Sequence, residues 1–171
     1  MPEAPSIEDL MTVCKYSAVH LEMRDGYMRD DQRFVAWQAG TLDLSSANEA
    51  ERPWLALIAA TTARGVVVRR ARIVSEPISD YVRFEHDLTP ANVASGEMVR
   101  WLPRRQATGL AVPGNDFWLF DSAVLLLNHF DGDGNFIDHE LISEPEIIKL
   151  CATAFEAVWD RSIPHEEYRP A

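Results

Sequence analysis

Charged side chains of both signs stand where a predicted strand passes into the next helix. Arg72 and Glu76 lie at the C-terminal end of that strand. Arg83 follows on the predicted helix, and Arg100 lies on the next predicted strand. Ligands of open parallel sheets bind at this edge, and guanidinium groups pair well with phosphates and carboxylates. The pattern predicts either a small-molecule or anion-binding site or a structural network of salt bridges, since both bring opposite charges together.

A second group of candidates surrounds a predicted turn near the end of the chain. His129 and His139 flank this turn on neighbouring predicted strands, where two histidines could bind a metal or share a proton. The spacing supplies no third ligand, which favours a structural role and predicts neither a metal nor a cofactor. An enzyme with an unfamiliar site around His129, Asp116 and Asp121 is the remaining catalytic alternative.

The turn itself, residues 131–135 (DGDGN), resembles the first half of an EF-hand loop. Its sixth position is Phe136 in place of glycine, and its twelfth is Ile142 in place of glutamate. We therefore interpret it as a hairpin connection. The sequence also lacks the GxSxG, GxGxxG and GxxxxGK[ST] motifs, and Cys14 and Cys151 have no zinc-type spacing, so no catalytic residue is assigned.

The core elements follow from hydrophobic periodicity. Residues 66–75 form a β-branched strand, and residues 98–102 form a second one. Between them, residues 79–95 form a helix that Pro90 is expected to kink or break. This order is typical of a parallel βαβ unit.

An antiparallel meander is predicted next, because three apolar runs are joined by short turns. The runs span residues 117–120, 124–130 and 136–141. A long helix follows, with Ser143 and Glu146 as its capping box and a broad apolar face to cover the sheet. The predicted fold class is therefore mixed α/β (α+β), a central mixed sheet with helices packed on it.

The N-terminal region, residues 1–45, is predicted to be a helical subregion of its own. Helical spacing marks one helix after Ser6 and another over residues 31–38, and an alternating run at residues 18–24 indicates a short strand. Residues 41–52 are polar and show no periodicity, so we interpret them as a linker to the next domain.

The α/β core domain is predicted over residues 53–165. It begins with a helix at residues 54–64, where Pro53 occupies the tolerated first position and Gly65 follows the end. Prolines among charges in residues 165–171 predict a frayed C-terminus. The length and the 47% hydrophobic content suit one such core with a small appended subregion.

The net charge of −11 argues against direct binding to nucleic acid, because an acidic surface repels phosphates. The longest uncharged stretches are far shorter than the ~20 apolar residues of a membrane-spanning helix. The acidic N-terminus also lacks the basic and then apolar layout of a signal peptide. We therefore expect a cytoplasmic protein that does not contact a membrane.

Two parts of the sequence carry a resemblance to a known family. The first is the block from Arg72 to Tyr81 (RIVSEPISDY), and the second runs from PGNDFWLFD, ending at Asp121, to AFEAVW, ending at Trp159. Both resemble a family of actinobacterial proteins often encoded beside helix-turn-helix regulators of the Xre type. The likeness spans nearly the whole chain. That family has no established activity, so membership implies a regulatory neighbourhood and a helix-turn-helix regulator as partner.

The βαβ unit, the meander around Asp121 and the terminal helix are similar to one half of a phospholipase D-type fold. That family's catalytic motif is HxKxxxxD, in which histidine is the nucleophile and lysine holds the phosphate. With Asp121 as the motif's aspartate, Gly114 stands at the histidine position and Asp116 at the lysine position. A carboxylate there would repel a phosphate, so the resemblance implies the fold without the chemistry.

Without an intact motif, the sequence favours a non-enzymatic regulatory or interaction module that works with a DNA-binding regulator. A second copy of the chain is a further expected partner, since five tryptophans at apolar positions must fill the core or a subunit contact. The alternative is a small-molecule or anion-binding domain that uses the strand-end charges. The predicted ligand-binding residues are Arg72, Glu76, Arg83, Arg100, Asp116 and His129.

Overall fold

Alternating and helical hydrophobic patterns along the chain produce one mixed sheet with helices on both faces. The computed structural model describes residues 5–171. The strands are β1 (Ser17–Glu22), β2 (Val67–Val74), β3 (Met98–Pro103), β4 (Asp116–Phe120), β5 (Val124–Phe130), β6 (Phe136–Ile142) and β7 (Ile163–Pro164). The helices are α1 (Ile7–Val13), α2 (Gln32–Gln38), α3 (Leu44–Ala50), α4 (Arg52–Ala63), α5 (Asp80–Ala94) and α6 (Pro145–Arg161), with a 3₁₀ turn at Arg104–Gln106.

The strands lie in the order β6-β5-β4-β1-β2-β3-β7. β1, β2 and β3 are parallel, whereas the other neighbouring pairs are antiparallel. The predicted βαβ unit is confirmed as β2, α5 and β3, and the predicted meander is confirmed as β4, β5 and β6. The mixed α/β fold class is therefore confirmed.

Strand β1 lies in the middle of the sheet, between β4 and β2. The predicted N-terminal subregion (residues 1–45) and the predicted core domain (residues 53–165) therefore both contribute strands to one sheet. The short strand expected at residues 18–24 is confirmed within one or two residues at each end. Its four central residues are buried, as a strand covered by helices on both faces requires.

Two local predictions were wrong, and for a third the structure excludes one of its two alternatives. The expected linker contains α3, because the Asp43 carboxylate caps that helix by accepting hydrogen bonds from two backbone N–H groups. Helix α5 continues through Pro90 without a break. Helix α6 begins after Glu144, with Pro145 in its first turn, so Ser143 is not its cap. The capping box at Ser6 is confirmed.

The C-terminal residues, expected to be frayed, pack against the sheet instead. β7 pairs with β3, and the backbone N–H of Ile78 donates to the carbonyl oxygen of Ala171 at 2.9 Å. Tyr168 is buried and stacks on Trp101, with ring centroids 5.4 Å apart. The ring of Tyr168 supplies buried apolar area, although a proline and charged residues make up most of residues 165–171.

Helix α6 covers one face of the sheet with apolar contacts. Its residues Cys151, Phe155 and Val158 are buried against side chains such as Leu21 and Ile73, which point to the same face of neighbouring strands. Among the described residues, both cysteines are free thiols. This face forms the main apolar core and leaves the opposite face available for the remaining helices.

The opposite face carries three smaller apolar clusters. One lies under α1 and α4, one joins α5 to the C-terminal Tyr168, and one brings together Tyr27, Phe34, Tyr81 and Phe84. Polar side chains occupy the sheet positions between these clusters, because residues of a strand alternate between its two faces. The polar positions on this face are His20, Glu22, Arg70, Arg72, Asp116 and Asn128.

Candidate ligand-binding site

A network of ion pairs lies at the centre of this polar face. Glu22 on β1 contacts two arginines of β2: its Oε1 lies 2.9 Å from Nη1 of Arg70, and its Oε2 lies 3.2 Å from Nε of Arg72. Nε of Arg70 also donates to Oε1 of Glu97 at 2.6 Å, and Arg72 pairs with Glu85 of α5. Both guanidinium groups are therefore already paired with carboxylates of the protein itself.

The network keeps its charges despite being buried. Burial alone would raise the pKa of Glu22, but the nearby guanidinium groups of Arg72 and Arg70 outweigh it and hold that pKa well below its usual range. Likewise, burial would lower the pKa of Arg70, and the carboxylates of Glu97 and Glu22 raise it instead. Glu22 is therefore ionised at neutral pH and acts as a hydrogen-bond acceptor.

His20 lies beside this network and is incompletely hydrogen-bonded. It is the register partner of Arg70, and its ring packs on Trp118 with centroids 4.2 Å apart. Nε2 lies 3.0 Å from Oε1 of Glu22. Nδ1 is buried and, within residues 5–171, has no hydrogen-bond partner. Burial lowers the pKa of His20, so the ring is neutral at neutral pH.

The tautomer of His20 follows from these contacts. Since Glu22 is an ionised acceptor, Nε2 of His20 carries the proton and donates to it. Nδ1 then bears a lone pair without a donor. A buried acceptor left in this state costs about 1–3 kcal/mol unless another molecule supplies a donor. His20 is therefore a candidate contact for a ligand.

Asp116 is the second incompletely saturated group on this face. Its Oδ1 accepts from the backbone N–H of Met23 at 2.9 Å, and its Oδ2 accepts from the hydroxyl of Tyr27. A carboxylate has room for about four such bonds, so acceptor capacity remains. Burial, with a contribution from the charge of Glu22, raises the pKa of Asp116 to about 6. Burial and the same carboxylates raise the pKa of Tyr27, which therefore stays protonated and donates.

These groups line a cavity of about 400 Å³, a size that suits a small ligand. Aromatic rings of Trp54, Trp118, Phe130 and Phe136 contribute to its wall. Among the described residues that line it, four carry carboxylates and one carries a guanidinium. The charged and polar lining residues are His20, Glu22, Tyr27, Glu51, Arg70, Tyr81, Glu85, Asp116, Asn128 and His139. The cavity thus combines aromatic walls with side chains that can accept or donate hydrogen bonds.

The structure separates the four strand-end charges that the sequence suggested as one site. Arg72 belongs to the ion-pair network, whereas Arg100 lies on the opposite face, where its guanidinium is 4.3 Å from the ring centre of Trp159. Residues two apart on β3 share a face, and Arg100 alternates with the buried Trp101 on the other side. Glu76 accepts from the hydroxyl of Tyr168 at 3.2 Å, and Arg83 is exposed on α5.

The carboxyl ends of β1 and β2, where a ligand was expected, are closed by side chains. Nη2 of Arg104 donates to the carbonyl oxygens of Met23 and Ile73 at 2.6 and 3.2 Å. Asp25 accepts from the backbone N–H of Ser75 at 2.8 Å. These bonds satisfy the strand ends, so the cavity lies on the face of the sheet and not at its edge.

The predicted catalytic alternative does not assemble either. Asp116 lines the cavity, but Asp121 lies at the other end of β4, where it accepts hydrogen bonds from three successive backbone N–H groups. His129 pairs with Glu140, at 2.8 Å, on the face opposite His139, because His139 is the register partner of Asn128. The two histidines therefore cannot bind one metal between them.

The turn at residues 131–135 is the hairpin connection that the sequence analysis favoured. Its Asp131 carboxylate accepts hydrogen bonds from the backbone N–H groups of Asp133 and Asn135, each at 2.9 Å. Within residues 5–171, no cluster of histidine, cysteine and carboxylate ligands suits a metal ion. Nor does any helix in that part of the chain have the length and apolarity to cross a bilayer.

Asp116, the neighbouring Arg72 and His139 were singled out from the sequence, whereas His20 and Glu22 were not. His20 and Glu22 alternate with apolar residues in β1, a pattern that resembles a solvent-exposed strand face. Recognising His20 and Glu22 as buried requires knowing that β1 lies between two other strands, and the sequence did not specify that position. Opposite charges at Glu22 of β1 and Arg72 of β2 would have supported that pairing.

Comparison with known proteins gives the family. A family described as a domain of unknown function (DUF6879) matches residues 5–170. The chain belongs to this family. No curated protein matches its sequence.

The solved structures that are similar to the DUF6879 chain include a phospholipase D family member and a chromatin protein. Nuc, a phospholipase D family member from Salmonella typhimurium, is 11% identical with a TM-score of 0.54, over 95% of this chain and 88% of Nuc. TrmBL2, an archaeal chromatin protein, is 11% identical with a TM-score of 0.47, over 91% of this chain and 47% of TrmBL2. The similarity to Nuc confirms the phospholipase D-like fold and, at this identity, extends to the fold alone.

Proposed function

We propose that this DUF6879 chain is a non-enzymatic regulatory module that binds a small molecule in the cavity on its central sheet. The observation that carries the proposal is a cavity of about 400 Å³ lined by His20, whose buried Nδ1 has no hydrogen-bond partner within residues 5–171, and by Asp116, whose carboxylate has acceptor capacity to spare. Buried acceptors without donors are costly in a folded protein, and a bound ligand would remove that cost.

The same residues argue against phosphodiester chemistry. The resemblance to the phospholipase D motif puts Asp116 at the lysine position and Gly114 at the nucleophile position. Asp116 lines the cavity, whereas Gly114 is exposed in the loop before β4. A site with a carboxylate in place of the phosphate-binding cation repels phosphate, and it lacks the nucleophile. Binding without turnover is therefore the function we infer.

The regulatory part of the proposal has separate support. The sequence resembles proteins encoded beside Xre-type helix-turn-helix regulators, and a net charge of −11 argues against direct contact with DNA. A role in gene regulation then requires a DNA-binding partner. We infer that occupancy of the cavity changes the affinity of this module for such a regulator, which requires the ligand to bind one state better than the other.

Thermal unfolding of the full chain tests the ligand-binding part. We expect at least one class in a panel of amines, amino acids, nucleotides and organic acids to stabilise the protein. A ligand at one hundred times its Kd adds about 2.7 kcal/mol. His139→Trp, which places a larger ring in the cavity lining, should abolish the effect. Ile137→Trp, on the same strand at an exposed position outside that lining, should preserve it.

Stabilisation by no class, or equal stabilisation of wild type and the His139→Trp variant, would remove the cavity from consideration as a binding site. The regulatory part is tested by co-purification with the helix-turn-helix regulator encoded nearest to the gene. We expect a complex whose affinity changes when the stabilising compound is added. A regulator that ignores the chain with and without that compound would contradict the proposal.

A further inference from the structure

We infer that the cavity selects an organic cation, in which an ammonium or amidinium group is joined to an apolar or aromatic body. This inference rests on the proposed function, since it names the class of ligand for the same cavity. It departs from the anion-binding alternative that the sequence suggested for the strand-end charges Arg72, Glu76, Arg83 and Arg100. Three features of the cavity support it: its charge balance, the spare acceptor capacity of its lining and its aromatic walls.

The first feature is the distribution of charge. Among the described lining residues, Arg70 carries the one guanidinium, and it is held by Glu22 and Glu97. Arg72, next to the cavity, is held by Glu22 and Glu85. No cation forms a salt bridge with Asp116 within residues 5–171, so its negative charge is the least compensated one there. An anionic ligand would meet this carboxylate in a region of low dielectric constant, whereas a cation would be attracted to it.

The second feature is the unused hydrogen-bond acceptor capacity of two residues that line the cavity, His20 and Asp116. Nδ1 of His20 is an acceptor, because Nε2 carries the proton that is donated to Glu22. Asp116 offers further acceptor sites beside the bonds it accepts from Met23 and Tyr27. His20 is 5% exposed, so its lone pair is withdrawn from bulk water. An ammonium or amidinium group supplies several N–H donors in a small volume and matches these acceptors.

The third feature is the aromatic lining. Trp54 and Trp118 pack edge to face with ring centroids 5.9 Å apart, and both line the cavity. Phe130 and Phe136 also line it. Aromatic faces attract cations and bury apolar bodies, whereas the same faces repel anions. The protein already uses this effect beside the cavity, where Arg70 lies 5.8 Å from the ring centre of Trp118.

Three indole compounds of nearly equal size test how the charge of the ligand affects binding while its shape stays nearly constant. Tryptamine carries an ammonium group, tryptophol a neutral hydroxyl group, and indole-3-acetate a carboxylate. Titration calorimetry at pH 7.5 with the wild-type chain should show tryptamine binding about tenfold or more tightly than tryptophol, with indole-3-acetate weakest. Benzamidine, an amidinium on a phenyl ring, should bind as tryptamine does.

Asp116→Asn removes the charge and retains one oxygen, which can still accept from the backbone N–H of Met23. Its amide NH2 group takes the position of Oδ2 and can donate to the hydroxyl oxygen of Tyr27. The substitution should weaken tryptamine binding about tenfold or more and leave tryptophol binding within about twofold. Asp138→Asn, an exposed carboxylate on β6 outside the cavity lining, is the matched control and should change neither affinity. Unfolding curves of both variants check that each protein is folded.

The outcomes distinguish this inference from the proposed function. If neutral or anionic compounds bind with sensitivity to His139→Trp while tryptamine and benzamidine do not, the cavity binds ligands but the cation assignment is wrong. The same holds if Asp116→Asn leaves tryptamine binding unchanged. If no compound of any charge binds, the proposed function fails and this inference fails with it.

Discussion

Glu22 and Arg72 are register partners on neighbouring parallel strands, and Oε2 of Glu22 lies 3.2 Å from Nε of Arg72. The same carboxylate reaches Arg70, the other guanidinium on this face of β2, through Oε1. A single side chain of β1 therefore compensates two buried positive charges of β2. The pairing brings charge into the centre of the sheet and ties β1 to β2 by side chains as well as by backbone hydrogen bonds.

Glu22→Gln should destabilise the fold by about 3 kcal/mol, because removing one partner of a buried ion pair leaves charge without compensation. Urea unfolding at pH 7.5 measures the effect. Glu156→Gln is the control, since it breaks the pair between Glu156, whose side chain is 55% exposed, and Arg69, and should cost below about 1 kcal/mol. Equal losses of stability for the two variants would show that the buried network stabilises the fold no more than an exposed ion pair does.

The raised pKa of Asp116, about 6, makes stability depend on pH. In the unfolded chain this carboxyl ionises near its ordinary pKa of about 3.9, so the folded state binds the proton more tightly. The stability it contributes is complete below about pH 4 and is lost as the pH rises through 6. Asp116→Asn cannot ionise and should be more stable than wild type at pH 8, by up to about 3 kcal/mol.

Urea unfolding of wild type and Asp116→Asn between pH 4.5 and 8 measures this difference. The two stabilities should diverge as the pH rises towards 6, and the difference should then stay constant up to pH 8. The exposed control Asp138→Asn should follow the wild-type curve throughout. Parallel curves for wild type and Asp116→Asn would mean that the Asp116 pKa is not raised.

Tyr168→Ala should destabilise the protein by about 3–5 kcal/mol, the usual cost of deleting a buried aromatic ring. The ring of Tyr168 is 2% exposed and stacks on Trp101, and its hydroxyl donates to Glu76. Thermal or urea unfolding measures the loss. Tyr16→Ala removes a tyrosine that is 73% exposed and should stay within about 0.5 kcal/mol of wild type. A tolerated Tyr168→Ala would restore the prediction of a frayed C-terminus.

The elements that could be predicted are those in which the hydrophobic periodicity and the flanking turn residues indicate the same boundaries. The βαβ unit, the meander and α6 each have long apolar patterns bounded by glycine, proline or polar turns, and each is present. The C-terminal segment differs, because Tyr168 is its one large apolar ring among prolines and charges, and local composition cannot show that Trp101 is available to pack on it. Such long-range contacts override local propensity.

The site could be predicted only in part, for a related reason. Arg72 and Asp116 were singled out because they stand in a β-branched strand and at a motif position, both visible along the chain. His20 and Glu22 become site residues only when β1 enters the sheet between β2 and β4. Strand order depends on which faces the helices cover, and a single sequence does not state it.

Binding of an organic cation should itself depend on pH, because the cation requires Asp116 to be ionised. The charged or titratable groups near Asp116 or lining the same cavity are His20, Glu22, Arg24, Tyr27, Glu51, Arg70, Tyr81, Glu85 and His139. Tryptamine stays protonated between pH 4.5 and 7.5, so the change in affinity reports the protein. We expect its affinity to fall about tenfold per pH unit below 6 and to level off above that pH.

Tryptophol has no charge for Asp116 to attract, so its affinity should change little over the same range. Protonation of His20 would also repel a cation at low pH, and Asp116→Asn separates the two effects because it retains His20. Calorimetric titration of tryptamine into Asp116→Asn should therefore give weak binding with a much flatter pH profile. If the affinity of Asp116→Asn for tryptamine depends on pH as strongly as that of wild type, the pH dependence arises from His20. Asp116 would then not determine the selectivity for cations.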